Sequence, residues 1–236
     1  MTERRTAAAV GGLYILGTAA GVASMILAGS AFGAQDPMAA IAALGPRVQA
    51  GALAILTMGL ALAFVSILLY PILKKRSEAS AIGYVVFRGA LETVTYILIA
   101  ACWIVLAGLA PQLVRAGAAD GAGLRAAGEA VLRAAEASRM MTMLVFSLGA
   151  LILYGLFYRA RLIPRWISAW GLAAIVLHLA VGLLDLLAGD GLASTAPAWI
   201  HFPIFLQEMV MAVWMILKGF SAPGGADGSN RAGASA

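Results

Sequence analysis

Six ionisable residues stand inside or at the edge of apolar runs of this 236-residue chain: Arg88, Glu92, His178, Asp185, His201 and Glu208. A charged side chain near the centre of a membrane helix costs about 2.5 to 3.5 kcal/mol on insertion scales, so each is a functional candidate until a topological reason accounts for it. Arg88 and Glu92 are four apart, which sets them on one helical face as an ion pair. That pair has two readings: a lock on helix position, with Arg88 snorkelling to a nearby interface, or a gate in which Glu92 faces a wet cavity. His178 and Asp185 are seven apart, as are His201 and Glu208, so each couple shares a face of its helix. With antiparallel helices whose outer ends lie near Ala188 and Trp199, His178 and Glu208 fall roughly 14 to 15 Å deep. Asp185 and His201 then lie within about 5 Å of the surface. A histidine beside a carboxylate at the midplane is able to relay protons, because histidine titrates near neutral pH. The same pair also serves as a hydrogen-bonded clasp that fixes register. Both readings stand for His178 with Glu208, and the clasp suits Asp185 with His201.

Other chemistry finds little support. Cys102 is the single cysteine, so no disulfide, CxxC pair or zinc-thiolate site is available. The two histidines and three carboxylates match no HExxH or other metal spacing, and a haem held by both histidines would have to bridge about 10 Å of depth. Ser24, Ser66, Ser147, Thr18, Thr57 and Thr142 lie in apolar runs without a GxSxG context, and hydroxyls so placed usually bond backbone. Neither a Walker A loop nor a GxGxxG turn occurs. We therefore expect no cofactor and no metal, and assign no catalytic residue.

The elements that must position these residues follow from composition. Hydrophobic residues make up 62% of the chain and charged ones only 11%, against about 45 to 50% and about 25% in soluble domains. Six apolar stretches are long enough to cross a bilayer as helices: residues 7–29, 50–73, 82–109, 140–158, 166–187 and 199–217. They are apolar on every face, which excludes the alternation of a membrane β-barrel. The expected fold is all-α, a polytopic membrane bundle of six transmembrane helices forming one domain over residues 1–220. Glu3-Arg4-Arg5 followed by an apolar run also looks like a secretory signal peptide, but the run exceeds the usual 7 to 15 residues. An uncleaved first helix is favoured, with Gly17 and Gly21 spaced for close packing.

Orientation follows the basic residues. Arg4, Arg5, Lys74, Lys75, Arg76, Arg159, Arg161, Arg165, Lys218 and Arg231 fall on one side, ten in all, against five on the other: Arg47, Arg115, Arg125, Arg133 and Arg139. Both termini are thus expected in the cytoplasm, and the net charge of +5 orients helices rather than binding nucleic acid. Tyr70, Tyr84, Tyr158, Trp166, Trp170, Trp214 and Phe220 fall near the same ends, where the headgroup layer favours amphipathic rings. The outer connection, 111–139, opens with turn material and reads as helix from Leu124, an extension of the fourth span with Arg125, Glu129 and Arg133 spaced by four. The Gly-, Ala- and Ser-rich tail, 221–236, is expected to be disordered.

Several local patterns are similar to one another's counterparts in a known family. They are Arg4-Arg5 leading into Gly12-Leu13-Tyr14, Phe87-Arg88 with Glu92, the run from Arg161 through Pro164 and Trp166 to Trp170-Gly171, and Gln207-Glu208 leading to Trp214 and Lys218-Gly219-Phe220. The chain resembles a bacterial family of six-helix membrane proteins catalogued as a domain of unknown function, number 4386. That resemblance implies six helices and a bacterial membrane location, with no established activity and no catalytic residues. Physically, Arg161 and Arg165 hold a short loop in the cytoplasm, Pro164 suits a helix start, and Trp166 and Trp170 share an interfacial face. Lys218 reads as a snorkelling cation beside a helix-ending glycine.

The functional expectation is a multi-pass inner-membrane protein, permease-like, carrying a small solute or proton through Glu208 and His178 with Arg88 and Glu92 as a cytoplasmic gate. Two alternatives stand beside it: an integral membrane enzyme acting on a lipid or isoprenoid, and a structural subunit of a membrane complex. Expected partners are the lipid bilayer, a small solute or lipid ligand, and a membrane-protein partner or second copy of the chain.

Overall fold

The computed structural model describes residues 2–187 and 202–221. Among them every regular element is helical: α1 Glu3–Phe32, α2 Pro37–Lys74, α3 Glu78–Tyr84, a π-helical turn Val85–Leu91, α4 Glu92–Asp120, α5 Ala122–Ala160, α6 Arg165–Leu187 and α7 Phe202–Leu217. Counting α3, the π turn and α4 as one rod, five helices are long and apolar enough to cross a membrane, and α7 is a shorter apolar helix. Large side chains such as Leu16, Ile26, Leu53, Phe64 and Leu184 lie exposed on the bundle's outside, an apolar surface far larger than water tolerates on a monomer. A bilayer is the solvent that such a surface fits.

Each helix packs on its neighbours in sequence, and α7 returns to pack on α1, so the six rods close into a ring. Two apolar clusters fill it. One, nearer the N-terminal end of α1, is built from Val10, Tyr14, Leu69, Tyr84, Tyr154, Phe157, Ile167 and Met211 and draws on every rod. The other, built from Ala28, Ile41, Val48, Ile99, Leu106 and Ala135, draws only on α1, α2, α4 and α5. Among the described residues, α6 and α7 contribute nothing to that second cluster.

The helices extend beyond the apolar runs that announce them. α2 starts at Pro37 rather than near residue 50, because Asp36 caps it, accepting the Ala39 N–H at 3.1 Å, and Pro37 occupies the first turn. Pro46 has no N–H to offer Ala42, and the rod kinks at Leu44 (φ −108°, ψ 16°) instead of ending. Likewise the segment from Pro111 is not a turn: α4 continues to Asp120, interrupted at Gly117, whose φ of 69° glycine adopts readily. α5 then runs unbroken from Ala122, and Leu124, Val131 and Leu132 pack on the second cluster, so the helix expected from Leu124 is continuous with the fourth span. Gly17 and Gly21 face Ala61, Leu62 and Met58 across the α1–α2 contact.

The two ends of the chain meet. The Arg4 guanidinium donates to the carbonyls of Met215, Ile216 and Leu217 at 3.2, 2.8 and 2.7 Å, satisfying the open Ile216 and Leu217 carbonyls at the C-terminus of α7 and adding to the Gly219 N–H bond on Met215. Gly219 (φ 76°) follows, and a side chain there would crowd Arg4 Cδ at 3.1 Å. The expected disordered tail and His201 lie outside the described residues, as does the first part of the 199–217 span.

Arg4 thus acts as a cap as well as a topological charge. Replacing it by alanine should cost about 0.3 to 1 kcal/mol, read as a fall of roughly 1 to 4 °C in the melting midpoint of detergent-solubilised protein. Arg5→Ala, which removes an exposed side chain from the same turn, should leave the midpoint in place.

Candidate functional site

The site is assembled around the π turn. A π turn carries one extra residue per coil, and here the Glu92 N–H reaches back five residues to the Phe87 carbonyl. The widened coil is hemmed in by glycines: a Cβ on Gly149 of α5 would sit 3.2 Å from both Arg88 N and Arg88 Cβ, and one on Gly89 would sit 3.1 Å from Ser66 Cβ. Close approach of α2 and α5 therefore holds the turn in place and directs the Arg88 side chain inward. Arg88 does not snorkel to an interface, as the sequence led us to expect, for it is only 3% exposed.

Its guanidinium bonds two carboxylates. Nη1 donates to both oxygens of Glu92 at 3.1 Å, and Nη2 donates to Glu208 Oε1 on α7 at 2.8 Å. Glu92 is buried and also accepts from Tyr96 Oη at 3.0 Å, whereas the Glu208 side chain keeps 16% of its surface open. Phe146 stacks beneath the guanidinium, 4.4 Å from ring centroid to Cζ, and its edge meets the His178 ring at 5.4 Å. The Arg88–Glu92 pair of the sequence is thus present, and Arg88 joins it to the carboxylate of the last helix. The two polar groups assigned to separate places, Arg88 with Glu92 and His178 with Glu208, belong to a single site.

A cavity of about 550 Å³ lies above this triad, inside the helix ring. Arg88, Glu92, Glu208, Tyr96 and His178 line it together with apolar walls from Met58, Ile99, Trp103, Met143 and Phe205. The cavity reaches Glu136 and Arg139 on α5, an exposed ion pair at 3.9 Å. Beneath the triad the ring is closed by Tyr14, Tyr84 and Tyr154, all at most 1% exposed, with Tyr14 and Tyr84 hydroxyls bonded at 3.2 Å. Tyr84 is therefore not an interfacial ring: the chain turns from α3 into the π coil there, and its side chain is carried into the core. Gln207, next to Glu208, is buried and donates to the Ile167 carbonyl at 3.1 Å, tying α7 to α6.

The loop residues sit where a short connection needs them. Arg161 takes a left-handed conformation (φ 53°) to end α5, Leu162 and Ile163 turn into the core, and α6 starts at Arg165 just after Pro164. Arg165 lies over the Tyr158 ring at 5.2 Å, and Trp166, 56% exposed, stacks near Trp170 at 6.5 Å. Lys218 directly follows α7, exposed. The side chain of Asp185 and all of His201, the two partners of the expected outer clasp, lie outside the described residues.

A family model for a domain of unknown function, DUF4386, matches residues 9–219, from the first helix through the last. The chain belongs to that family. The matched DUF4386 region contains every member of the triad and of the tyrosine layer beneath it. No curated protein and no solved structure matches the chain.

Sequence reasoning missed several lining residues. Tyr96 was detectable, since it continues the spacing of four from Arg88 and Glu92. Phe146, Trp103 and the three core tyrosines are ordinary members of apolar runs and carry no such signal. Burial makes the triad sensitive to imbalance: removing one partner of a buried ion pair costs about 3 to 5 kcal/mol, while removing all the charges together is often tolerated. Arg88→Met alone should therefore lower thermal stability more than the combined Arg88→Met, Glu92→Gln, Glu208→Gln variant, as measured by unfolding in detergent.

Proposed function

We propose that this chain is a permease-like protein of the bacterial inner membrane, with both termini in the cytoplasm, that binds a small solute or a proton at the triad and passes it across. The observation that carries the reading is one cavity whose floor brings Arg88, Glu92 and Glu208 together with His178. Intramembrane charge that faces a cavity rather than lipid is the usual mark of a solute or proton path. The tyrosine layer beneath serves as the closed gate of a state accessible from one side, and rearrangement of α7 against α1 would open the other. Alternating access requires such a closed layer on one side of the site at a time.

An enzyme acting on a lipid or isoprenoid is the second reading, favoured by the predominance of apolar side chains in the cavity wall. Lipid retained in the cavity after purification, together with its chemical conversion, would support it over transport. A purely structural subunit has less to recommend it, because a satisfied polar cluster that only fixes helix register needs no space above it.

Flux into proteoliposomes tests the proposal. With an entrapped pH indicator, Glu208→Gln should slow proton or solute-driven pH change by about tenfold or more, the effect of losing a hydrogen bond to a charged group, and His178→Ala should slow it as well. Unchanged flux and unchanged stability in both variants would sink it.

A further inference from the structure

Resting on the permease reading, we propose that the cavity takes a monovalent, amphipathic organic cation, bound in exchange for a proton on Glu208. The charge arithmetic of the floor leads there. One guanidinium faces two carboxylates, so with both ionised and the His178 imidazole neutral the site holds a formal charge of −1. An anion approaching Arg88 would meet the two carboxylates already bonded to its terminal nitrogens at 2.8 to 3.1 Å, and their repulsion disfavours it. The ion pair at the mouth, Glu136 with Arg139, cancels and adds no net charge. An excess negative charge inside apolar walls is tolerated only when a proton or another cation balances it.

Of the two carboxylates, Glu208 is the one open to the cavity, at 16% side-chain exposure against 1% for Glu92. Glu92 is also tied to Arg88 by both oxygens and to Tyr96. The walls add the second half of the recognition. Trp103, Phe146, Phe205, Met58, Met140 and Met143 present aromatic faces and polarizable sulfur, the surfaces that hold an organic cation better than a hydrated metal ion. A volume of about 550 Å³ falls within the range of about 300 to 1,000 Å³ that suits drug-sized ligands.

The exchange balances simply. The O–H bond of protonated Glu208 breaks, the proton leaves to water through the cavity, and the cation takes its place beside the carboxylate; no electron moves. The titratable and charged groups around Glu208 are Tyr14 from α1, Tyr84 and Arg88 from the α3–π segment, Glu92 and Tyr96 from α4, Tyr154 from α5 and His178 from α6. Glu208 is the carboxylate with surface in the cavity, so it is the one that an arriving cation reaches and whose proton the cation displaces.

Equilibrium dialysis of purified, detergent-solubilised protein against radiolabelled tetraphenylphosphonium provides the test, with tetraphenylborate, an anion of the same shape, as comparator and empty micelles as blank. The expected result is saturable binding of the phosphonium alone, proton release into weakly buffered solution on binding, and an affinity that falls by about tenfold per pH unit on the acid side of the transition. Glu208→Gln should weaken binding by more than about tenfold and abolish proton release. Equal binding of both ions, no phosphonium binding, or binding indifferent to pH overturns the proposal, and these measurements on the unaltered protein decide it even where Glu208→Gln fails to fold. Proteoliposome flux without phosphonium binding would remove the cationic ligand and leave the permease reading intact. Phosphonium binding with proton release but no flux would do the reverse.

Discussion

The fold depends on keeping one arginine and two glutamates out of lipid. An uncompensated charge in hydrocarbon is expensive enough to decide where helices go, and the structure answers by gathering the three side chains at one point inside the ring. Arg88 sits on a widened coil that points it inward, and Glu208 comes from a helix 120 residues later. The glycines that let α2 and α5 approach the coil, and Gln207 tying α7 to α6, hold the elements that keep those charges within bonding distance. The cavity beside the triad is the counterpart: the charges need a polar neighbourhood, and the space above them supplies it.

Much of the fold was legible because membrane helices announce themselves by composition alone. The six rods, the shared location of the two chain ends and the helix after Leu124 all follow from apolar runs and basic loops. What composition did not convey was the length of the rods outside those runs. The Asp36-Pro37 cap and the Gly117 break are local signals that sat in stretches dismissed as connections, and Pro46 bends a helix where it was expected to stand outside one.

The site was legible as residues and not as geometry. Arg88, Glu92, His178 and Glu208 stood out because each is anomalous in its surroundings. Depth along two antiparallel helices brought His178 level with Glu208, and both do line the cavity. Depth cannot show which carboxylate an arginine on a third helix will reach, because that depends on the rotation of every rod in the ring. The π coil has the same character: nothing in Val85 to Leu91 marks an extra residue in the turn, and the coil is stabilised by what packs on it.

Arg4 gives the closure of the ring a temporal meaning. α1, which leaves the ribosome before α7, carries in its opening turn the side chain that completes α7. Until α7 has been inserted, α1 lacks one of its two flanking rods and Arg88 lacks its second carboxylate. A chain cut short before α7 therefore exposes two separate defects, an open seam in the bundle and an imbalanced buried charge. Both are features by which a membrane protease or chaperone distinguishes an unfinished protein from a finished one.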